Sequence, residues 1–188
     1  MERRELLKMI AMLTGGVIIG GNAFLAGCSP EKGKLTNPVT FSQQDLDFLD
    51  EVADTILPAT KSPGAKAAKV GSFMAVMVND CYEATDQKIF MEGIEKLNTA
   101  CKKMYDTEFM KADQQQKLAL LTALDQQAKA HQAQKENQPA HYFTMMKQLT
   151  LLGYFSSEAG CTKAMRYIAV PGRYEGSVAY KKGDKAWA

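Results

Sequence analysis

Cysteine and histidine are the residues best suited to nucleophilic attack or metal binding, and this sequence has few of them. Its 188 residues include four cysteines and two histidines. These are Cys28, Cys81, Cys101, Cys161, His131 and His141. The spacings that hold zinc, an iron–sulfur cluster, covalent haem or a dinucleotide do not occur in the sequence. We therefore expect this chain to bind no cofactor or metal, and we assign no catalytic residue.

The two histidines show no pattern that would make them ligands. His131 lies in a polar stretch, where we expect it to be solvated, and His141 stands near the start of an apolar helical segment. No cluster of further ligands accompanies either residue. Neither is expected to bind haem or a metal.

Cys28 has the sequence context that most clearly defines a reaction. The residues Leu25-Ala26-Gly27-Cys28 resemble a bacterial lipobox, in which small residues fit the peptidase and the cysteine thiol takes up a diacylglycerol. Several acyl chains would hold the protein at a membrane, since each buried CH₂ contributes about 0.8 kcal/mol. The alternative is an uncleaved transmembrane anchor. The uncharged run from Met9 to Gly27 is barely long enough to span a bilayer, and its glycines weaken that interpretation.

Arg3 and Arg4 begin a segment of the form Arg-Arg-x-Leu-Leu-Lys, which resembles the twin-arginine export motif. A basic start, an apolar middle and a small-residue end are typical of a secretory signal. We therefore predict a signal peptide over residues 1–27, a flexible tether over 28–40 and a folded domain over 41–188. The expected location is the periplasmic side of a bacterial cell envelope.

Charge and hydrophobic content exclude several classes of protein. The 23 basic and 21 acidic residues give a net charge of +2, which offers no electrostatic footprint for nucleic acid. A hydrophobic content of 46% is too high for a disordered chain and fits one globular domain of this length.

Apolar residues recur at helical spacing along most of the domain. The spacing predicts five helices, with Ser42 and Asp45 forming a capping box at the first and Pro58 ending it. The others are expected over 65–81, 86–105, from about 113 towards 138, and over 139–157, with Pro139 in the first turn of the last. The fold class is therefore all-α, a bundle of about five helices with an irregular C-terminal tail.

Periodicity also predicts which side chains are buried. The third helix should bury Cys101 and Met104, and the fourth Leu118, Leu121 and Leu124. The inner stripe of the fifth is Phe143, Met146, Leu149, Thr150, Gly153 and Tyr154.

If Cys28 is lipidated, three cysteines remain. An oxidising periplasm would allow one disulfide among Cys81, Cys101 and Cys161, but helix register does not decide which pair. The simpler interpretation is that all three are small core residues.

The last thirty residues differ in character from the helical segments. Glycines break any regular pattern, a short helix is expected near 162–167, and Tyr167, Tyr174, Tyr180 and Trp187 alternate with basic residues. Two interpretations stay open: the tail wraps over its own bundle, or it presents anchors to a partner. Our hypothesis for the second is that Arg173, Tyr174 and Trp187 dock on the partner.

Both ends of the domain resemble the gluconate 2-dehydrogenase subunit 3 family. At the N-terminal end the similar segments are Ala53–Thr60 (ADTILPAT), Ser62–Ala65 (SPGA) and Val70. At the C-terminal end they are Leu149–Glu158 (LTLLGYFSSE), Val170–Gly176 (VPGRYEG) and Lys185–Trp187. The resemblance covers about residues 41–187.

The resemblance implies a non-catalytic small subunit of a membrane-associated periplasmic dehydrogenase. In such complexes FAD is held by a separate subunit of the glucose-methanol-choline type, and a cytochrome c with haem c often accepts the electrons. The flavoprotein lacks its own signal and travels with the small subunit, and related complexes oxidise sugars, sugar acids or glycosides. The lipobox at Cys28 departs from the pattern of the family. It implies that this chain is a membrane tether as well as an export escort.

Two other functions remain as alternatives. One is a self-sufficient electron-transfer protein of the envelope, and the other is a lipoprotein scaffold without a redox partner. A visible spectrum of the purified chain separates the first alternative from the accessory subunit, because haem, flavin and clusters absorb there.

Replacing the lipobox cysteine tests the anchor. In Cys28→Ser the thiol that lipid transfer requires is lost, so we expect no incorporation of a labelled fatty acid. Cys81→Ser is the matched control and should be labelled like the wild type. Undiminished label in Cys28→Ser would show that another residue carries the lipid.

Overall fold

A computed structural model of the chain describes residues 39–134 and 138–187. Arg3, Arg4 and Cys28, and with them the signal peptide and most of the tether, lie outside the described residues. Within the described ranges the fold contains helices and no strand, which confirms the all-α class. No helix in those ranges is both long enough and apolar enough to cross a membrane.

Five α-helices make up the bundle, as predicted. They are α1 (Gln43–Ile56), α2 (Val70–Cys81), α3 (Ala84–Tyr105), α4 (Gln114–Gln134) and α5 (Tyr142–Phe155). Short 3₁₀ turns at Ala65–Ala68 and Phe109–Lys111 precede α2 and α4, and a π-helical turn at Gly160–Ala164 follows α5.

Helix α1 begins and ends where the sequence predicted. The amide of Asp45 donates to Oγ of Ser42 at 3.2 Å, and the amide of Ser42 donates to the Asp45 carboxylate at 2.8 Å. Each half of this capping box satisfies an amide that the first turn leaves without a helical partner. Pro58 stands just beyond the last helical residue, Ile56.

The second helix starts later than predicted. Residues 65–81 are not one helix, because Lys69 adopts a left-handed conformation (φ 52°) between the 3₁₀ turn and α2. The amide of Gly71 donates to Oδ1 of Asp50 at 2.6 Å, which fixes the start of α2 against α1. A side chain at Gly71 would lie 2.5 Å from the carbonyl oxygen of Leu46, so only glycine allows this approach.

The fifth helix also starts late, at Tyr142 rather than Pro139. His141 is its N-cap, and its Nδ1 accepts a hydrogen bond from the amide of Phe143 at 3.2 Å. The prediction of Pro139 in the first turn is therefore wrong: an accepting side chain, rather than the restricted φ of proline, sets this boundary.

The buried stripe of α5 is confirmed at all six predicted positions, whereas Met104 and Leu118 are more than half exposed. On α4 the buried face passes through Lys117, Leu120, Leu121, Leu124 and Ala128, which turns Leu118 outward. On α3 it continues from Cys101 to the half-buried Tyr105, which leaves Met104 in solvent.

Only one of the three remaining cysteines is a core residue. Cys101 is buried, Cys161 is half-buried and Cys81 is exposed, and none is in a disulfide within the described part of the chain. Burial raises the pKa of the Cys101 thiol. The interpretation that all three fill the core is wrong for Cys81, because α2 ends at that residue.

Glu51 joins three elements through two ion pairs. One carboxylate oxygen lies 2.8 Å from Nζ of Lys117 on α4, and the other lies 2.8 Å from Nζ of Lys66 in the first 3₁₀ turn. The side chains of Lys117 and Glu51 are only 8% and 16% exposed. Desolvation raises the pKa of Glu51, but the hydrogen bonds from Lys117 and Lys66 outweigh it, so the pKa is lowered.

Removing the charge of Glu51 should destabilise the bundle. In Glu51→Gln the ammonium of Lys117 stays buried without a counter-ion, which should cost about 2–3 kcal/mol of unfolding free energy. Because the folded pKa of Glu51 is lowered, its contribution is present above its ordinary pKa of 4.5 and is lost as the pH falls further. Urea unfolding at pH 7 and at lower pH measures both effects.

The matched control is Glu92→Gln, which removes the exposed pair of Glu92 with Lys96 on α3. It should leave the unfolding midpoint nearly unchanged, since exposed pairs contribute little. Equal midpoints for Glu51→Gln and Glu92→Gln would contradict the structural role of Glu51.

Candidate functional site

The two segments that carry the family resemblance meet at one end of the bundle. Oη of Tyr154, near the end of α5, donates to the carbonyl of Pro63 at 2.6 Å. A side chain at Gly153 would lie 2.6 Å from the ring of Phe73 on α2, so the missing Cβ lets α5 pack closely on α2. The N-terminal and C-terminal segments are therefore parts of one structural unit.

The loop between α1 and α2 is held by groups on α1. Oδ1 of Asp54 accepts from the amide of Lys66 at 3.3 Å, and the carbonyl of Leu57 accepts from the amide of Ala65 at 2.9 Å. These bonds fix the loop so that the carbonyl of Pro63 faces α5. Asp54 and Pro63 thus have structural roles.

The chain leaves α5 through the π-helical turn. Oγ of Ser157 donates to the carbonyl of Tyr154 at 2.6 Å, and the amide of Cys161 donates to the carbonyl of Ser157 at 2.9 Å. The short helix predicted near 162–167 is present as this π-helical turn at Gly160–Ala164, a few residues earlier than predicted. A shallow groove of about 360 Å³ separates this turn from the 3₁₀ turn at Ala65–Ala68.

Residues 166–187 form a loop whose two ends are fastened together, here called the C-terminal loop. The amide of Arg166 donates to the carbonyl of Ala186 at 2.7 Å, and Arg166 and Trp187 pair as an isolated parallel bridge. The guanidinium of Arg166 lies 4.4 Å from the centre of the Trp187 ring. Nζ of Lys185 donates to the carbonyl of Lys163. We call these contacts the clasp.

The C-terminal loop leaves its apolar side chains in solvent. Every residue from 167 to 187 is exposed. The large apolar members are Tyr167, Ile168, Val170, Tyr174, Val178, Tyr180 and Trp187. The interpretation that the tail wraps over its own bundle is therefore not what the structure shows for these residues. So many exposed apolar side chains in one segment are typical of an interaction surface.

The three predicted docking residues occupy two different places in the C-terminal loop. Arg173 and Tyr174 lie towards its middle, where Arg173 pairs with Glu175 at 3.0 Å and Tyr174 is 95% exposed. Trp187 belongs to the clasp at the base and is 51% exposed. Sequence reasoning missed the clasp, because no local pattern relates residues so far apart in the chain.

A second apolar surface on α5 was also missed. Leu151, Leu152 and Phe155 are exposed on the last turns of the helix. The signal was available, since the segment from Leu149 to Phe155 is apolar on nearly all sides, whereas a helix buried on one face normally alternates with polar residues.

The two histidines lie together at the far end of α4. The ring centres of His131 and His141 are 5.6 Å apart, so His131 is half-buried rather than solvated. Desolvation lowers the pKa of His141, and nearby His131 and Lys96 lower it further. In the described ranges no group of three or more His, Cys, Asp or Glu residues is placed to hold a metal ion.

Comparison with known families identifies the class of protein to which the chain belongs. Residues 43–172 match the family model of gluconate 2-dehydrogenase subunit 3, which is more than half of the chain. The chain belongs to this family, and the family name is that of an accessory subunit in a dehydrogenase of several subunits. The match includes α1 to α5 and ends inside the C-terminal loop. Neither a search of curated proteins nor one of solved structures gave a match.

The cap at α5 should make stability sensitive to acid. Nδ1 of His141 can accept from Phe143 only while it carries no proton. Because the folded pKa of His141 is lowered, its contribution is present above its ordinary pKa of 6.5 and is lost as the pH falls through the folded pKa. His141→Asn keeps an accepting cap at every pH, so the melting temperature should fall less between pH 7.5 and pH 5 than in the wild type.

His131→Gln is the matched control, because it changes the same pair but keeps the cap. Most of the acid sensitivity should remain in this variant. An unchanged pH dependence in His141→Asn would show that the cap does not control it.

Proposed function

We propose that this chain is the non-catalytic small subunit of a membrane-associated periplasmic dehydrogenase that uses FAD held in a separate subunit. The observation that carries the proposal is the family match over residues 43–172. In this role the chain assists export and maturation of the flavoprotein and tethers it to the membrane. The reaction itself takes place in the flavoprotein, with a sugar, a sugar acid or a glycoside as substrate and a cytochrome c as electron acceptor.

The exposed apolar side chains of the C-terminal loop support an accessory role. A subunit that works by association needs a surface that a partner can cover, and tyrosine, tryptophan and arginine contribute most to such surfaces. The C-terminal loop offers all three residue types at exposed positions. We place the flavoprotein on this loop, with Tyr174 and Arg173 as contact residues.

The export and tethering roles are supported by the amino-terminal sequence. Arg3 and Arg4 fit a route that carries folded proteins, and such a route allows a partner without a signal to be carried along. Cys28 would then leave the complex attached to lipid on the periplasmic side. The two motifs together suit a chain that escorts a partner and keeps it at the membrane.

Conservative replacement of the arginine pair tests the escort role. Arg3→Lys with Arg4→Lys keeps both charges but removes the planar guanidinium groups. We expect this chain and the flavoprotein to remain in the cytoplasm, and periplasmic dehydrogenase activity to be lost. Cell fractionation with antibodies to both chains, together with a dye-linked activity assay, measures this.

Lys34→Arg is the control, since it exchanges one basic residue for another in the predicted tether. It should leave export unchanged. Normal periplasmic activity in the double arginine variant would contradict the escort role, and so would export of the flavoprotein in cells that lack this chain.

A further inference from the structure

The clasp restrains a segment that has little other tertiary packing. The main-chain hydrogen bond from Arg166 to Ala186, the stack of Arg166 on Trp187 and the bond from Lys185 to Lys163 all lie at the base of the C-terminal loop. Nε of Arg166 is buried and makes no hydrogen bond among the described residues. The contact of the guanidinium with Trp187 is a cation–π stack, with 4.4 Å between the guanidinium carbon and the ring centre.

Two local contacts give shape to the loop between its ends. Arg173 pairs with Glu175 next to Tyr174. Further on, the amide of Asp184 donates to the carbonyl of Lys181 at 2.9 Å, and the amide of Lys181 donates to the Asp184 carboxylate at 3.1 Å. The aromatic side chains thus project from a backbone that is joined at its base and bonded within the turn at Lys181–Asp184. The Arg173–Glu175 pair is an exposed side-chain contact and adds little to this restraint.

Such a loop has part of its conformational freedom removed before it binds. If the two ends of the loop were not joined, its backbone would have to become ordered when the partner binds. The conformational entropy lost in this way would lower the affinity of the complex. Closing the ends in the free chain removes part of this cost. The clasp can therefore affect partner affinity although most of it lies away from Tyr174.

The charge of the loop indicates the chemistry of the surface that it fits. Residues 166–187 contain five basic and two acidic side chains, a net charge of +3. Both acidic side chains are engaged within the loop, Glu175 with Arg173 and Asp184 with the Lys181 amide. An apolar patch bordered by carboxylates is complementary to this arrangement.

A protein surface fits the loop better than an anionic membrane does. Glu175 is next in sequence to Tyr174, the most exposed aromatic residue. Glu175 is paired with Arg173, so the two charges that flank Tyr174 compensate each other and attraction to anionic lipid is weakest at this residue. The family match is to a subunit of a dehydrogenase, which favours a protein as the partner.

We propose that the Arg166–Trp187 clasp holds the C-terminal loop in a preformed shape that docks on an acid-bordered apolar patch of the dehydrogenase subunit. This inference rests on the proposed function for the identity of the partner. The clasp itself is a property of the free chain and can be tested without the partner. Arg166 and Trp187 are positioning residues, and Tyr174 is a contact residue.

The first experiment uses the single tryptophan as a reporter of closure. Trp187 is the only tryptophan of the 188 residues, so all tryptophan emission comes from the clasp. Arg166→Ala should move the emission to longer wavelength and increase quenching by acrylamide, and Arg166→Lys should fall between it and the wild type. Lys103→Ala removes one exposed positive charge on α3, outside the clasp and the C-terminal loop, and should leave the emission unchanged. Circular dichroism should report the same helix content in all variants.

The second experiment measures binding to the purified FAD-containing dehydrogenase subunit of the proposed complex. Arg166→Ala and Tyr174→Ala should each weaken binding about tenfold or more, mainly through faster dissociation in Arg166→Ala. Lys103→Ala should bind as the wild type does. Binding to the wild type should also change the emission of Trp187.

Different results would overturn different parts of the argument. Unchanged emission in Arg166→Ala would show that the clasp does not form. Altered emission with wild-type affinity would show that a closed loop is not what the partner binds. A wild-type chain that does not bind the flavoprotein would contradict the proposed function and the docking role together, while the emission data would still decide the clasp. A last measurement is sedimentation of the chain with anionic phosphatidylglycerol vesicles. If the chain sediments with them, and if this is lost in Tyr174→Ala but not in Cys28→Ser, the loop binds the membrane instead.

Discussion

The fold depends on a row of carboxylates on α1. Asp50, Glu51 and Asp54 project from one side of the helix. Asp50 holds the first turn of α2, and Glu51 holds the side chains of Lys66 and Lys117. Asp54 accepts from the amide of Lys66. Apolar burial supplies most of the driving force in such a bundle, but it does not direct one helix to a particular neighbour. Charge-assisted hydrogen bonds have a required geometry, so they fix which elements meet α1 and where.

Half-buried carboxylates carry a desolvation cost that the arrangement must offset. Desolvation raises the pKa of Asp50 in spite of its hydrogen bond from Gly71, whereas in Glu51 the two lysines outweigh desolvation and lower the pKa. The surroundings of Glu51 therefore stabilise its ionised carboxylate more than those of Asp50 stabilise the Asp50 carboxylate. The difference follows from the partners: Asp50 accepts mainly from a neutral amide, while Glu51 accepts from two ammonium groups.

Features that depend on local sequence patterns could be predicted correctly from the sequence. The capping box at Ser42 and the buried stripe of α5 are set by residues three or four positions apart, and both are confirmed. Errors arose where a distant residue decided the outcome. Leu118 is exposed because Lys117 turns inward to reach Glu51. Helix α2 starts late because Lys69 is left-handed, and Asp50 then holds its first turn through the amide of Gly71. Helical periodicity placed Leu121 and Leu124 correctly in the buried face of α4, but the ion pair puts Lys117 rather than Leu118 at its edge. The C-terminal loop was recognised from its residue types, while its clasp required the three-dimensional structure.

The bundle and the C-terminal loop are joined by a continuous set of contacts. Asp54 fixes the loop after α1, the carbonyl of Pro63 in that loop accepts from Tyr154, and Tyr154 leads through Ser157 into the π-helical turn. That turn ends two residues before Arg166, where the clasp begins. The family match stops at residue 172, so it includes Arg166 but not Trp187. The bundle thus sets the position of one side of the clasp, and the part of the chain beyond the family match supplies the other. The loop therefore presents Tyr167, Ile168 and Val170 from within the family match, whereas Tyr174, Tyr180 and the closing Trp187 come from residues beyond it.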